Sequence, residues 1–226
     1  MTFRKYTALS VVVLLAGVMS MGAAGARAAE VDYVGYAWET GGIAASLPGD
    51  QLSIATVVTQ IDPLFQVDLN GVEATLYIEG LTSQGSTVNP STGATTTTYA
   101  GGTIAIYAGA ARNHDWGVNP ANGTVPATFT DGDLIFSGAF TGFAINLLAS
   151  GLGVFEGSID GTGGSALAGP CASCAYTFAG TFATPTGAQI PEGYDLQVDG
   201  VLSVESAVGV ETMNWGSLKQ LFNPGR

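Results

Sequence analysis

The sequence predicts an all-β protein, a two-sheet jelly-roll-like β-sandwich with a short C-terminal helix, and three observations carry that expectation. The first is a recurring unit: large apolar residue, any residue, glycine, any residue, large apolar residue. It occurs as Phe136-Ser-Gly138-Ala-Phe140, Phe155-Glu-Gly157-Ser-Ile159, Phe178-Ala-Gly180-Thr-Phe182 and Val198-Asp-Gly200-Val-Leu202. Along a strand, residues i, i+2 and i+4 point to one face. Each unit therefore sets two bulky groups on one face with bare backbone between them. A glycine weakens a strand, so four in the same context predict rings from neighbouring strands lying over them. The second observation is a series of short apolar runs punctuated by glycine, proline and asparagine, the pattern of sandwiches and barrels. The third is that no helical periodicity of useful length appears before residue 210.

Taken in order, residues 1–28 read as an export signal. Arg4 and Lys5 form a basic start, residues 8–21 are apolar, and Ala26-Arg27-Ala28 supplies a small-x-small cleavage site. The apolar stretch is too short for a stable membrane span. Removal of the signal leaves three basic residues against 18 acidic ones, a net charge of −15. Such a surface repels phosphate backbones and anionic lipid, which disfavours nucleic-acid and membrane-surface binding. The mature protein is expected to be secreted or held at the cell surface, the periplasm being the other compartment open to it.

Residues 29–207 form the expected β-domain. Strands are expected over 31–38, 52–60, 64–69 and 73–79, with Asn70-Gly71 as a hairpin signal between the last two. The Ser/Thr/Gly stretch 82–98 reads as a mobile insertion or an extended hairpin tip. Further strands are expected over 103–107, 134–148, 153–160, 175–183 and 194–205. In the long run 134–148, Phe136 and Phe140 fall on one face while Ile135, Phe143, Ile145 and Leu147 fall on the other, which predicts a central strand covered on both sides. Residues 208–226 depart from this pattern. Trp215, Leu218, Leu221 and Phe222 follow helical spacing, Asn214 suits the N-cap, and Asn223-Pro224-Gly225 stops the run.

Candidate chemistry is sparse. Cys171-Ala-Ser-Cys174, the only cysteine pair, is expected to form a disulfide in an oxidising compartment; a redox pair or a metal site is the weaker reading. Arg112, His114, Asp115 and Trp116 gather the only central cation, the only histidine and a tryptophan in one irregular segment; the first reading is a loop anchored by its Trp with His114 exposed, and the other is a carbohydrate- or ligand-binding loop. Asp131 and Asp133 are candidate calcium ligands, although an Asp-Gly turn is the commoner explanation of such a pair. A single histidine and no Gly-x-Ser-x-Gly leave no local support for nucleophilic hydrolysis. No residue is assigned a catalytic role, and the chain is not expected to be an enzyme.

The tail Asn214-Trp215-Gly216-Ser217-Leu218-Lys219-Gln220-Leu221-Phe222 resembles the Trp-Gly-x-(Ile/Leu)-Lys-x-Leu-(Tyr/Phe) ending of various exported bacterial proteins. The run from Phe129 to Phe140 resembles β-domains of exported bacterial proteins that carry C-terminal sorting tails. The resemblance implies a surface or secreted destination, with Trp215, Leu218 and Phe222 facing a cell-surface or sorting machinery. The functional expectation is an exported, non-enzymatic surface or matrix component, with a carbohydrate- or calcium-binding module as the alternative.

Overall fold

A computed structural model of the chain describes residues 29–117, 127–167, 174–185 and 190–205. Nine strands run in order: β1 Ala29–Glu39, β2 Gln51–Ile61, β3 Glu73–Val88, β4 Thr95–Ala100, β5 Thr103–Gly109, β6 Asp133–Leu147, β7 Leu152–Gly163, β8 Ala175–Ala183 and β9 Leu196–Glu205. The all-β expectation holds; the two-sheet jelly-roll sandwich does not. Every strand pairs antiparallel with its neighbours, and β1 pairs with both β2 and β9, so one sheet closes on itself. The result is a closed eight-stranded barrel. The expected C-terminal helix and the tail beyond residue 205 lie outside the described residues, as does the expected export signal.

Nine strands fill eight places because β4 and β5 share one. β3 pairs with β5 along Glu73–Glu79 and with β4 from Thr82 onward, while β6 pairs with the same two partners on the other side. The break between them falls at Gly101 and Gly102, with φ of 69° and 88°, a backbone that L side chains rarely adopt. The polar stretch 82–98 is therefore the extended tip of the β3–β4 hairpin. The expected strand 64–69 is not formed. Asp62 instead caps a 3₁₀ turn over Pro63–Phe65, its side chain accepting from the Leu64 N–H, and Phe65 is buried against the barrel end. Asn70-Gly71 accordingly lies in a turn entering β3 and closes no hairpin.

An eight-stranded barrel is just wide enough for side chains to fill it, and here aromatic rings do so. Tyr33 stacks on Phe178 at 4.7 Å, Phe178 on Phe155 at 5.2 Å, and Phe140 meets Phe143 edge-on at 5.4 Å. Leu52, Ile54, Leu76, Ile78, Ile104, Ile106, Leu196, Val198 and Leu202 complete the buried interior. The glycines of the recurring units face these groups. A Cβ at Gly157 would lie 2.7 Å from ring atoms of both Phe140 and Phe143, and one at Gly180 would lie 2.6 Å from Phe155. Gly180 and Gly200 sit opposite each other on β8 and β9. At Gly138 the nearest side chain is Ile159, and at Gly200 it is the Tyr33 hydroxyl.

β6 corrects the expectation of bulk on both faces. A bulge between Phe140 and Gly142 adds one residue, which reverses the alternation for the rest of the strand. Phe136 and Phe140 before it, and Phe143 and Ile145 after it, consequently all join the interior core. Ile135 is buried too and belongs to the same core cluster, and in the turn after β7 the Ala166 N–H donates to its carbonyl.

Candidate functional site

Two clusters of polar and titratable groups stand out, one plugging a barrel end and one fastened to the outer wall. The first begins with Glu39. Inward residues of β1 alternate Val31, Tyr33, Gly35, Ala37 and Glu39, so the last inward position of the strand is a carboxylate. It is 6% exposed. Its Oε1 accepts from the Ser46 hydroxyl at 2.5 Å and its Oε2 from the Tyr99 hydroxyl at 2.9 Å. Ser46 also meets Ser83 at 2.7 Å, and its carbonyl accepts from Ser86, which meets Thr97. The backbone N–H of Glu39 donates to Asp195 Oδ2 at 2.8 Å. This network ties the end of β1 to the turn over Ile43–Ala45, to β3, to β4 and to the approach to β9.

Burial raises the Glu39 carboxyl, and the nearby Asp50 and Asp195 carboxylates raise it further, while the bonds from Ser46 and Tyr99 pull it down. Burial likewise raises Asp195, against the hydrogen bond it accepts from Glu39. The Tyr99 hydroxyl is pushed up by its own burial and by Glu39, so it stays a donor. Chemically the cluster is a fully bonded plug; it holds a proton more tightly than an ordinary carboxyl pair does. None of these residues was singled out from the sequence. The parity of β1 carries the one available signal, because Glu39 falls on the same face as Tyr33.

The second cluster contains the residues the sequence did single out. The Arg112 guanidinium donates to the carbonyls of Leu69 and Asn70, both at 3.0 Å. The backbone N–H groups of Asn113 and His114 converge on Glu73 Oε1, and His114 Nδ1 meets Glu73 Oε2 at 2.5 Å. Trp116 donates its indole N–H to the Ala55 carbonyl and packs against Tyr36, Phe129 and His114. Its own carbonyl accepts from the Tyr194 hydroxyl. With Ala55, Tyr77, Trp38 and Val57 these rings make a small second core on the outside of the barrel. Arg112, His114 and Trp116 are thus brought together as anchors of the segment that follows β5. Asp115 is exposed, its carboxylate accepting from the Gly117 N–H and turning the chain locally.

Asp131 accepts from the Asn113 side chain at 2.8 Å, and Asp133 opens β6. Among the described residues no group of three or more His, Cys, Asp or Glu side chains is placed to hold a metal ion. Cys174 is disulfide-bonded and packs against the core; Cys171, its expected partner, lies outside the described residues. Comparison with protein-family models, with curated proteins and with solved structures returned no match.

Proposed function

We propose that this chain is an exported, non-enzymatic component of a bacterial cell surface or extracellular matrix. The observation that carries the reading is the ring-filled interior: the space where a barrel of this size holds a small ligand is occupied by Tyr33, Phe140, Phe143, Phe155 and Phe178. What the molecule offers to its surroundings is its outer wall. That wall displays Glu156, Ser158 and Asp160 on β7 and Asp199 on β9, and most of the large apolar side chains turn inward, the reverse of a lipid-embedded barrel. No described helix is long and apolar enough to cross a membrane. The export signal and the Cys174 disulfide support an oxidising, extracytoplasmic destination, and the tail bearing Trp215, Leu218 and Phe222 suits recognition by a surface or sorting machinery.

Fractionation of cells expressing the chain with its own first 28 residues tests this. The expected result is a processed protein in the surface or medium fraction, with no change in melting temperature on addition of calcium or of soluble oligosaccharides. One observation favours a second reading: Tyr36, Trp38 and Trp116 form a half-buried aromatic patch beside the exposed Asp115. A saturable thermal shift with one sugar, abolished by Trp38→Ala, would put carbohydrate binding in place of the structural role.

A further inference from the structure

Among the described residues the outer wall carries an apolar groove. Leu148, Leu152 and Val154 are 51%, 56% and 50% exposed, and with Thr181, Ala183 and Asp199 they line a groove of about 490 Å³. The register explains its shape. Leu152 lies opposite Ala183 and Val154 opposite Thr181, which in turn faces Asp199, so small residues of β8 form a floor between apolar β7 and polar β9 walls. Three neighbouring apolar side chains left half in water are a docking surface in want of an occupant.

We propose that the occupant is the chain's own C-terminal segment, its apolar stripe of Trp215, Leu218 and Phe222 seated on Leu148, Leu152 and Val154. Two observations select it. The first is where the described chain ends. Glu205 pairs with Ala175 at the start of β8, so the tail departs beside the far end of the same strand that floors the groove. From that level to Thr181 or Ala183 is six to eight residues of β8, about 20–26 Å at the usual strand rise. The nine residues 206–214 span up to about 30 Å when extended, enough to lay Trp215 in the groove of the same molecule. The second is charge. The groove side carries Asp199, with Glu156 and Asp160 further along β7, and the only Lys or Arg between residues 29 and 205 is Arg112. The tail holds Lys219 and Arg226 against the single acid Glu211. Docking also hides the stripe, so a sorting or surface machinery that reads it acts on the released form. Docking of the tail does not depend on the protein's destination.

The mature chain has two internal trypsin sites, Arg112 and Lys219, and limited proteolysis of the full mature protein tests the proposal with the first as an internal reference. Expected is cleavage after Lys219 at least about tenfold slower than in a synthetic 206–226 peptide, because proteolysis tracks the open population. Leu152→Asp with Val154→Asp should restore most of the peptide rate while leaving cleavage after Arg112 unchanged. Trp215→Ser with Phe222→Ser, which change no residue of the barrel strands, should restore it equally. Cleavage of the unsubstituted chain at the peptide rate overturns the proposal, as does protection that survives both variants. Protection that disappears on dilution also overturns it, since the occupant is then a second copy. Should the wall variant speed cleavage after Arg112 as well, marking a damaged barrel, the tail variant decides by the same criteria.

Discussion

At the scale of single residues, Glu39 and the interior glycines make opposite demands on the solvent around them. Glu39 is inside the wall with its carboxyl raised by burial and by Asp50 and Asp195, and Asp195 is raised as well. A carboxyl whose folded pKa exceeds its unfolded value binds its proton more tightly in the folded state. The folded state then loses stability as pH rises from the ordinary carboxylate range through the raised value, and has it back on acidification. Glu39→Gln keeps an acceptor for Tyr99 and carries no charge. It should melt higher than the unsubstituted chain at pH 7 and lose that advantage near pH 4, as followed by circular dichroism; an advantage that grows on acidification would contradict the burial argument. The glycines lie where a side chain has no room. Gly157→Val and Gly180→Val should each cost about 1–3 kcal/mol in denaturant unfolding, the usual range for overpacking. Gly142, where an added Cβ would meet nothing within 4 Å, is the control. Valine there should be neutral or stabilising through its strand preference.

At the scale of elements, the outer segment after β5 is held by a few side chains with definite partners. Trp116 is central, since it fills the gap between Tyr36 and Phe129 and satisfies the Ala55 carbonyl. Trp116→Ala should lower stability by about 1–3 kcal/mol, in line with a partly buried large apolar group, while leaving the near-ultraviolet signature of the stacked interior rings in place. Loss of that interior signature would mean the two cores fold as one. Most strands were legible, because alternation and turn residues act locally: 175–183 coincides with β8, and 52–60 with β2 to within a residue at each end. Two features were not. The run 64–69 has strand-like residues, but the Asp62 cap and Pro63 set a 3₁₀ turn that takes in its first two residues. The β6 bulge inserts Thr141 beside Gly142, a glycine that marks bulges but here stands in a run already carrying Gly138, and one uncounted residue moves Phe143 and Ile145 from the outer face to the core.

At the scale of the whole molecule, the decision between sandwich and barrel rests on one pairing, β1 with β9, between residues as far apart in the chain as Ala29 and Val204. Alternating strands with glycine turns fit either architecture, and nothing local to β1 states which strand lies at its free edge. The interior glycines are the closest thing to a signal: Gly157, Gly180 and Gly200 leave room for the wall to curl tightly around its rings, as curved sheets require. The polar plug was hidden for the same reason. Glu39, Ser46, Ser83, Tyr99 and Asp195 come from five segments and meet only because the barrel brings its end together. Closure leads to a prediction that a sandwich would not share. In a sandwich an edge strand is paired on one side only, and its loss leaves the remaining ladders intact. Here β9 is hydrogen-bonded to both β1 and β8, and Leu196, Val198, Leu202 and Val204 belong to the interior core. Ending the chain at residue 195 uncovers two long edges and opens the ring stack to water, and unpaired edges seek other chains. The truncated protein should therefore aggregate and show no cooperative melt, whereas a chain ending at residue 205 stays soluble and melts in one transition. Size-exclusion chromatography and thermal melts of the two forms decide it: a soluble, cooperatively melting 29–195 fragment would mean that β1 and β9 do not close the wall.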